Sequence, residues 1–461
     1  MRNLKRALSL ALAAIMLIGM MVVSASAVSY NDLTDKDQIV NKDAVSMLVS
    51  LGIIEGKPDG SYAPTENVDR AQMAKMLSVI MNKGVDNSAL YQSVNSGLTD
   101  ITSNWAKGHI NYCYTTGIIA GRGNGTFDPS ATVTALEAAK MLLVAVGYDP
   151  KIEGFEGADW AINVSVRADE QGIFEGFTKD LSAPLNRDDA ALLIYNALDV
   201  EMIQSYTTNN YPIVYSDHRT ILSDKYGVIK VEGVVTANEW AILDDDTDTA
   251  LQEGKTRIYN PDGILSTTGN TAVAQDSSAN VKTQVFNVST PVDMLGKAVT
   301  MYVKKTTILA DSTVYGAPVV SDVNTVIETG EKVTGGDSKD GDSLAALLKG
   351  TGLATDKATE YYHNYEEVAI DSADVDDIMN VKGAALTVID NDNDGYVNYV
   401  ISVEKSLTHV SGVSSKNETT TLYGLPGDDV IDNEDIVTTA TDLTKGDVVL
   451  VVQYGGRTYV E

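Results

Sequence analysis

Up to about residue 203 the apolar residues of this chain recur at helical spacing in short blocks. Beyond it they alternate with polar ones at a period of two. The helical part repeats itself. Three stretches overlay on a glycine followed by two large apolar residues: Gly52-Ile53-Ile54, Gly117-Ile118-Ile119 and Gly172-Ile173-Phe174. A proline falls twelve residues after each glycine, at Pro64, Pro129 and Pro184, and Val40, Trp105 and Trp160 stand twelve before. A helix start follows each loop. Asp69, Thr134 and Asn186 are N-cap residues, and Gln72, Glu137 and Asp189 three places on complete capping-box patterns. The helices that follow carry an apolar face with Ala74, Ala139 and Ala191 at one shared position, which predicts close packing and gives these residues no ligand role. A repeat of this length predicts stacked or pseudo-symmetric modules, each too small to bury its apolar face alone.

After Ile203 the pattern predicts strands, among them Val228–Val235, Ala298–Val303, Ala385–Ile389 and Val448–Val452, with a short helical turn near Ser343–Leu348. Two faint echoes link the halves of this region. Val231-Glu232-Gly233-Val234 resembles Val410-Ser411-Gly412-Val413, and Asp293–Gly296 resembles Asp442–Gly446, each pair in the setting of a strand. Two related β units are therefore expected, the second from about Leu407 and, ending directly after a strand, incomplete.

The helical part resembles the S-layer homology domain. The residues that carry the likeness are Tyr30-Asn31-Asp32, Trp105-Ala106, the loop Lys57-Pro58-Asp59-Gly60-Ser61-Tyr62-Ala63-Pro64, the loop Gly123–Pro129, and the helix start Asp69-Arg70-Ala71-Gln72. It covers about residues 28–203. The resemblance implies non-covalent binding of secondary cell-wall polysaccharide, commonly pyruvylated, and assigns Arg70, Arg187, Trp105, Trp160, Asp32 and Asp100 to the glycan. Arg70 and Arg187 stand on the first turn of capped helices, where free N–H groups and the helix dipole favour a carboxylate; pairing with a neighbouring repeat's acid is the other reading. Trp105 and Trp160 either stack on sugar faces or anchor the first helix in the core. Replacing both arginines by alanine is then expected to weaken binding at little cost in stability. Ala135 replaces the family's arginine in the second copy, Val40 its tryptophan in the first, and the third copy lacks the Pro-Asp-Gly loop, so the groove depending on Ala135 is expected to be weak or silent.

Arg2, Lys5 and Arg6 precede an apolar run from Ala7 to Val23, and Ala25-Ser26-Ala27 supplies a small-residue cleavage site, as in a secretory signal peptide. Its removal takes the formal charge from −30 to −33, which argues against nucleic acid as a partner and is compatible with divalent cations. No other stretch is apolar enough to span a bilayer. The single cysteine, Cys113, has no intramolecular partner and reads as a buried apolar residue. Asp390, Asp392 and Asp394 before Gly395 have the spacing of a calcium loop, but Ile401 stands where a bidentate glutamate would. An Asp/Asn-rich hairpin turn explains them equally. Asp244–Asp248 and Asp428, Asp429 and Asp432 read as solvated acidic loops. The histidines are scattered, no catalytic motif occurs, and no cofactor is required.

The expectation is a multidomain α+β protein: an N-terminal all-α, pseudo-threefold set of helical repeats, then a mainly-β region of small sandwich- or barrel-like units. Its parts are a signal peptide (1–27), repeats at 28–90, 91–152 and 153–203, a β-rich domain at 204–406 and a second β unit at 407–461. Its function is anchoring to the cell wall as a secreted surface or S-layer protein able to self-associate in a lattice. A tethered glycoside hydrolase or an adhesin on the same anchor is the alternative.

Overall fold

A computed structural model describes residues 30–243, 250–261, 263–264, 282–304, 312–329, 344–368, 384–425, 429–438 and 442–461. The signal-peptide segment and Asp244–Asp248 lie outside them. Among the described residues no helix is long and apolar enough to cross a membrane. The chain divides into two compact units, residues 1–227 and 228–461.

The first unit holds three helix pairs: α1 (Lys42–Ser50) with α2 (Arg70–Met81), α3 (Lys107–Thr115) with α4 (Ala135–Val146), and α5 (Trp160–Glu170) with α6 (Arg187–Leu198). Each first helix ends in the same way. Gly52, Gly117 and Gly172 take φ of +69°, +81° and +69°, and the next residue donates its N–H back to Leu48, Cys113 or Ala168 at 2.9, 2.9 and 2.8 Å. That is a Schellman closure, which needs the left-handed residue that glycine supplies and buries the apolar residue after it. The repeated Gly-Ile pair is therefore a helix stop.

The pairs close into a ring. Each first helix packs on the second helix of the preceding repeat, α3 on α2 and α5 on α4, and α1 packs on α6. At the centre the residues just before the three N-caps bond cyclically: Val68 N–H to Leu185 O (2.8 Å), Leu185 N–H to Val133 O (2.8 Å), and Val133 N–H to Val68 O (2.9 Å). All three are buried. These bonds satisfy backbone groups that would otherwise be buried unpaired.

The ring corrects the proline alignment. Backbone bonds run from Ala71 N to Pro129 O, from Asp188 N to Pro64 O and from Leu136 N to Leu181 O, so the third counterpart of Pro64 and Pro129 is Leu181. Pro184 instead bridges Thr134, as Thr132 bridges Asp69 and Asn67 bridges Asn186. Counted from Pro184, the third copy reads as three residues shorter before its cap; counted from Leu181, the missing residues lie upstream of Pro184. The capping boxes of Asp69 and Thr134 are complete, but that of Asn186 is half formed. Asp189 is a methylene too short to reach back, and its carboxylate pairs with Lys179.

The first unit runs past Ile203 to Gly227 and includes the hairpin β1 (Ile203–Tyr206) and β2 (Pro212–Val214). Tyr206 accepts the Asp149 N–H at 2.9 Å and donates to Glu153 at 3.0 Å, which ties this hairpin to the junction of the second and third repeats. The expected boundary at residue 204 is corrected accordingly.

Among the described residues the second unit contains three sheets. The first orders β5 (Thr283–Phe286), β4 (Thr256–Tyr259), β3 (Val228–Asn238), β6 (Ala298–Lys304) and β7 (Val314–Val320). In the second, β10 (Glu366–Glu367), β9 (Glu360–His363), β12 (Tyr399–Glu404), β11 (Ala384–Asp390) and β8 (Thr325–Glu328) lie side by side, and the short helix α7 (Leu344–Leu348) belongs to its core. The third orders β15 (Val430–Asp432), β14 (Thr419–Leu422), β13 (Ser406–Ser414), β17 (Val448–Tyr454), β18 (Arg457–Val460) and β16 (Ile436–Thr438). Strand alternation makes the second sheet two-faced. Ile389, Tyr399 and Ile401 join a core with the first sheet, while Leu386, Val388 and Val400 face a second cluster with Leu344 and Tyr361.

The first and third sheets share the order of their first five strands, as the sequence echoes suggested, but in another register. Gly296 N–H bonds Val235 O at 2.9 Å and Gly446 N–H bonds Val410 O at 2.8 Å, so Val410 corresponds to Val235 and not to Val231.

Candidate functional site

Ring packing brings residues of all three repeats to each inter-repeat groove. One groove, of about 270 Å³, is lined by the loop Ile53–Pro58, by Gln72, Lys75 and Met76 of α2, by Trp105 ahead of α3 and by Arg187 of α6. A second, of about 590 Å³, has the equivalent set: Ile118 and Ala120–Gly123, Glu137, Lys140 and Met141 of α4, Trp160 of α5 and Arg70 of α2. The same construction would build the third groove from Ala135, the loop after Ile173, Asp189 and Val40. Both departures noted in the sequence, alanine for arginine and valine for tryptophan, therefore fall in one groove.

The tryptophans lie outside the buried core. Trp105 is 57% exposed, edge-on to His109 with ring centroids 6.3 Å apart. Trp160 is half-buried with Lys140 Nζ 5.5 Å from its ring centroid.

The arginines differ from expectation. Arg70 is 4% exposed: its Nε and Nη2 donate to Phe127 O and Ala120 O, each at 2.9 Å, and its guanidinium lies 4.4 Å from the Phe127 ring centroid. Arg187 repeats this in a half-buried setting, donating to Tyr62 O (2.8 Å) and Glu55 O (3.3 Å) over the Tyr62 ring. The accepting atoms are all backbone carbonyls, not carboxylates. Each arginine clasps the loop of the next repeat and presents only part of itself to the groove. Burial, followed by the nearby Arg122, lowers the Arg70 pKa to about 10, so it remains a cation at neutral pH.

Asp100 does not line either groove. Its carboxylate accepts the N–H groups of Phe127 (2.9 Å) and Asp128 (2.7 Å), which hold the loop. Those bonds keep its pKa low against the opposing effect of burial. Its counterpart is Asp35, which accepts from Tyr62 N (2.7 Å) and Ala63 N (2.8 Å). Asp32, assigned to the glycan from the sequence, is exposed and lines neither groove. The signal that identifies Asp35 is the shared Leu33-Thr34-Asp35 and Leu98-Thr99-Asp100. Also missed were Lys75 and Lys140, which recur at the same place in two helices, and the loop cations Lys57 and Arg122.

In the second unit Asp390, Asp392 and Asp394 each place an oxygen within 4.8 Å of the others. Asp390 is 1% exposed and accepts from Asn393 N (2.8 Å), Gly395 N (3.1 Å) and Asp392 N (3.3 Å), the bonds of a turn. Burial, then the charges of Asp394 and Asp390, raises the Asp392 pKa. A set of hard oxygen donors of this kind fits calcium chemically. Cys113 is fully buried, its Sγ 3.4 Å from Ala74 O, and burial raises the thiol's pKa.

The class this geometry defines is a ring of three helical repeats with solvent-open, cationic, tryptophan-bearing grooves between them. Residues 29–74 and 97–139 match the S-layer homology domain, so the chain carries that domain. It is 29% identical over 273 residues to a "Cell surface protein" of Thermoanaerobacter kivui, covering 58% of this chain and 32% of that one. It is 33% identical over 113 residues to an "S-layer protein" of Bacillus licheniformis, covering 24% and 12%. To "Exoglucanase XynX" of Acetivibrio thermocellus it is 27% identical over 192 residues, covering 38% and 17%. The chain spans about a third or less of the length of these relatives.

Proposed function

We propose that the helical ring holds a cell-wall polysaccharide non-covalently and displays the β-rich unit as a structural component of the cell surface. The observation that carries this reading is the pair of like-built grooves, each with an exposed or half-buried tryptophan beside cations. Aromatic faces suit sugar rings, and the cations suit an acidic substituent such as a pyruvate ketal. Two sites on one chain, engaging repeats of one polymer, raise overall affinity by effective concentration. Assembly of the displayed units into a lattice is the corresponding outer role.

A tethered hydrolase is the second reading, because part of the chain resembles part of an exoglucanase. That match covers no more of this chain than the helical unit can supply. The match to the cell surface protein is longer than the whole first unit and so extends into the β-rich one, which favours the structural role. For the Asp390 hairpin we propose a calcium ion held by the three aspartates, stabilising the second unit.

The test uses the full chain and purified wall sacculi. Trp105→Ala with Trp160→Ala should abolish co-sedimentation, while Val40→Ala leaves it unchanged. Retained binding by the double variant overturns the assignment of the grooves.

A further inference from the structure

The second unit holds a cavity of about 710 Å³ that wall anchoring does not use, within the size range of ligand pockets. Two hairpin tips wall it. Asn364-Tyr365 joins β9 to β10 with φ of +49° and +64°, and Gly455-Gly456 joins β17 to β18 with φ of +59° and +73°, as in type I′ turns. For a bulky residue such as Tyr365 this left-handed backbone is unfavourable, so surrounding packing must hold it. The Tyr365 ring lies 4.8 Å from that of Tyr454, and a Cβ on Gly455 would meet Trp240 O at 2.1 Å. Both tips are therefore fixed and the cavity is pre-formed.

Two sheet edges open on the same cavity. Among the described residues β10 ends the second sheet and β15 ends the third. The bonds flanking β15 fix which way its main chain points. Leu422 N–H bonds Asp429 O at 2.7 Å and Asn433 N–H bonds Glu418 O at 2.8 Å, so in the alternating antiparallel ladder Ile431 gives its N–H and C=O to β14. Val430, 51% exposed, turns its own away from β14. Outward main-chain groups on an edge strand are a template for one more strand. The lining is also acidic: Glu366, Glu367, Asp432 and Asp435 are all exposed, and Arg457 is its single cation among the described residues. These carboxylates are too far apart to ligate one ion, because among the described residues only the Asp390 hairpin gathers three such ligand atoms within 4.8 Å. Their complement is an extended ligand with several positive charges.

We propose that this cavity takes an extended, lysine- or arginine-bearing peptide segment of a partner protein, which adds as a strand to β15 and sets its cations against the four carboxylates. The outward main-chain pair of Val430 is what favours a peptide over a cationic sugar. The chain's formal charge of −30 draws a basic partner and repels a second copy of this chain. The proposal does not depend on the wall-glycan reading.

The experiment is fluorescence anisotropy on the full chain with a dye-labelled octapeptide of alternating lysine and threonine, and with the same peptide carrying glutamine for lysine. The lysine peptide should bind saturably and more weakly as salt is raised, and the glutamine peptide should not bind. Glu366→Gln with Asp432→Asn should weaken the lysine peptide about fivefold or more. Val430→Pro removes the outward N–H and leaves the Ile431 bonds to β14, so it should remove most of the binding at an unchanged melting temperature. A wild type that does not bind the lysine peptide, equal binding of the glutamine peptide, or unaltered affinity in either variant overturns the proposal. If Val430→Pro lowers the melting temperature, the carboxylate variant, changed only at exposed positions, decides alone. Tighter binding of an unacetylated glucosamine tetramer at equal amine concentration, measured by displacement of the peptide, gives the cavity to a sugar and overturns the peptide reading. Sedimentation with sacculi is a separate readout, so the anchor stands or falls apart from these outcomes.

Discussion

A guanidinium on the first turn of a helix can face outward to a ligand or inward to a neighbour, and Arg70 faces inward. Its two bonds to carbonyls of the next repeat and its seat over Phe127 make it a clasp between modules. Truncation would leave those carbonyls short of a donor in a buried place. Arg70→Ala should therefore lower the stability of the helical unit by about 2–4 kcal/mol, measured by denaturant unfolding, in contrast to the small effect expected from the sequence. Trp105 is the opposite case: with more than half its surface exposed, its replacement should cost binding and little stability. His109 carries a pH dependence. It is buried between α2 and α3, with Nδ1 2.6 Å from Ser78 Oγ and Nε2 3.6 Å from Asp86. Burial, assisted by Lys75 and opposed by Asp86, lowers its pKa, so the folded state disfavours the proton that the unfolded chain binds near pH 6.5. Stability should fall as the pH drops below about 6.5, and His109→Asn should flatten that part of a melting-temperature profile.

At the scale of elements, caps and stops explain why the helices begin and end where they do. Thr134 accepts the Glu137 N–H at 3.2 Å, and losing that acceptor in Thr134→Ala should cost about 1 kcal/mol in denaturant unfolding. These devices were legible because they are local: a cap, its partner three residues on, and a glycine that must turn left-handed. The third box was misread because a list of residue types does not measure reach, and Asp189 is too short. The Asp390 hairpin poses a test of another kind. Three carboxylates gathered between β11 and β12 repel one another, and calcium bound by them stabilises the fold by mass action. Millimolar calcium should raise the melting temperature of the second unit, and Asp392→Ala should remove most of that rise. A melting curve that ignores calcium would leave the turn as the whole explanation.

For the whole molecule, the division at Gly227 sets where the chain can be cut. A fragment of residues 28–227 should sediment with wall sacculi and one of residues 228–461 should remain in the supernatant, scored by gel densitometry. Equal behaviour of the two would refute the anchor. The longer N-terminal fragment is the better choice than one ending at 203, because Tyr206 bonds both Asp149 and Glu153.

The sequence by itself determined the repeats, the helix starts and stops, the change from helical to strand periodicity, and the family resemblance, because each is a relation among residues close along the chain. It also marked Ala135 and Val40 as departures. Only the tertiary structure relates those two to one inter-repeat position, since in a ring where each first helix packs on the preceding repeat's second helix the equivalents of the Arg187–Trp105 and Arg70–Trp160 pairs are Ala135 and Val40. It likewise decided that Arg70 serves the interior, that Asp35 and not Asp32 matches Asp100, and that Val410 matches Val235. Burial, hydrogen-bond partners and register arise from contacts between distant segments, and the order of residues along one segment does not contain them.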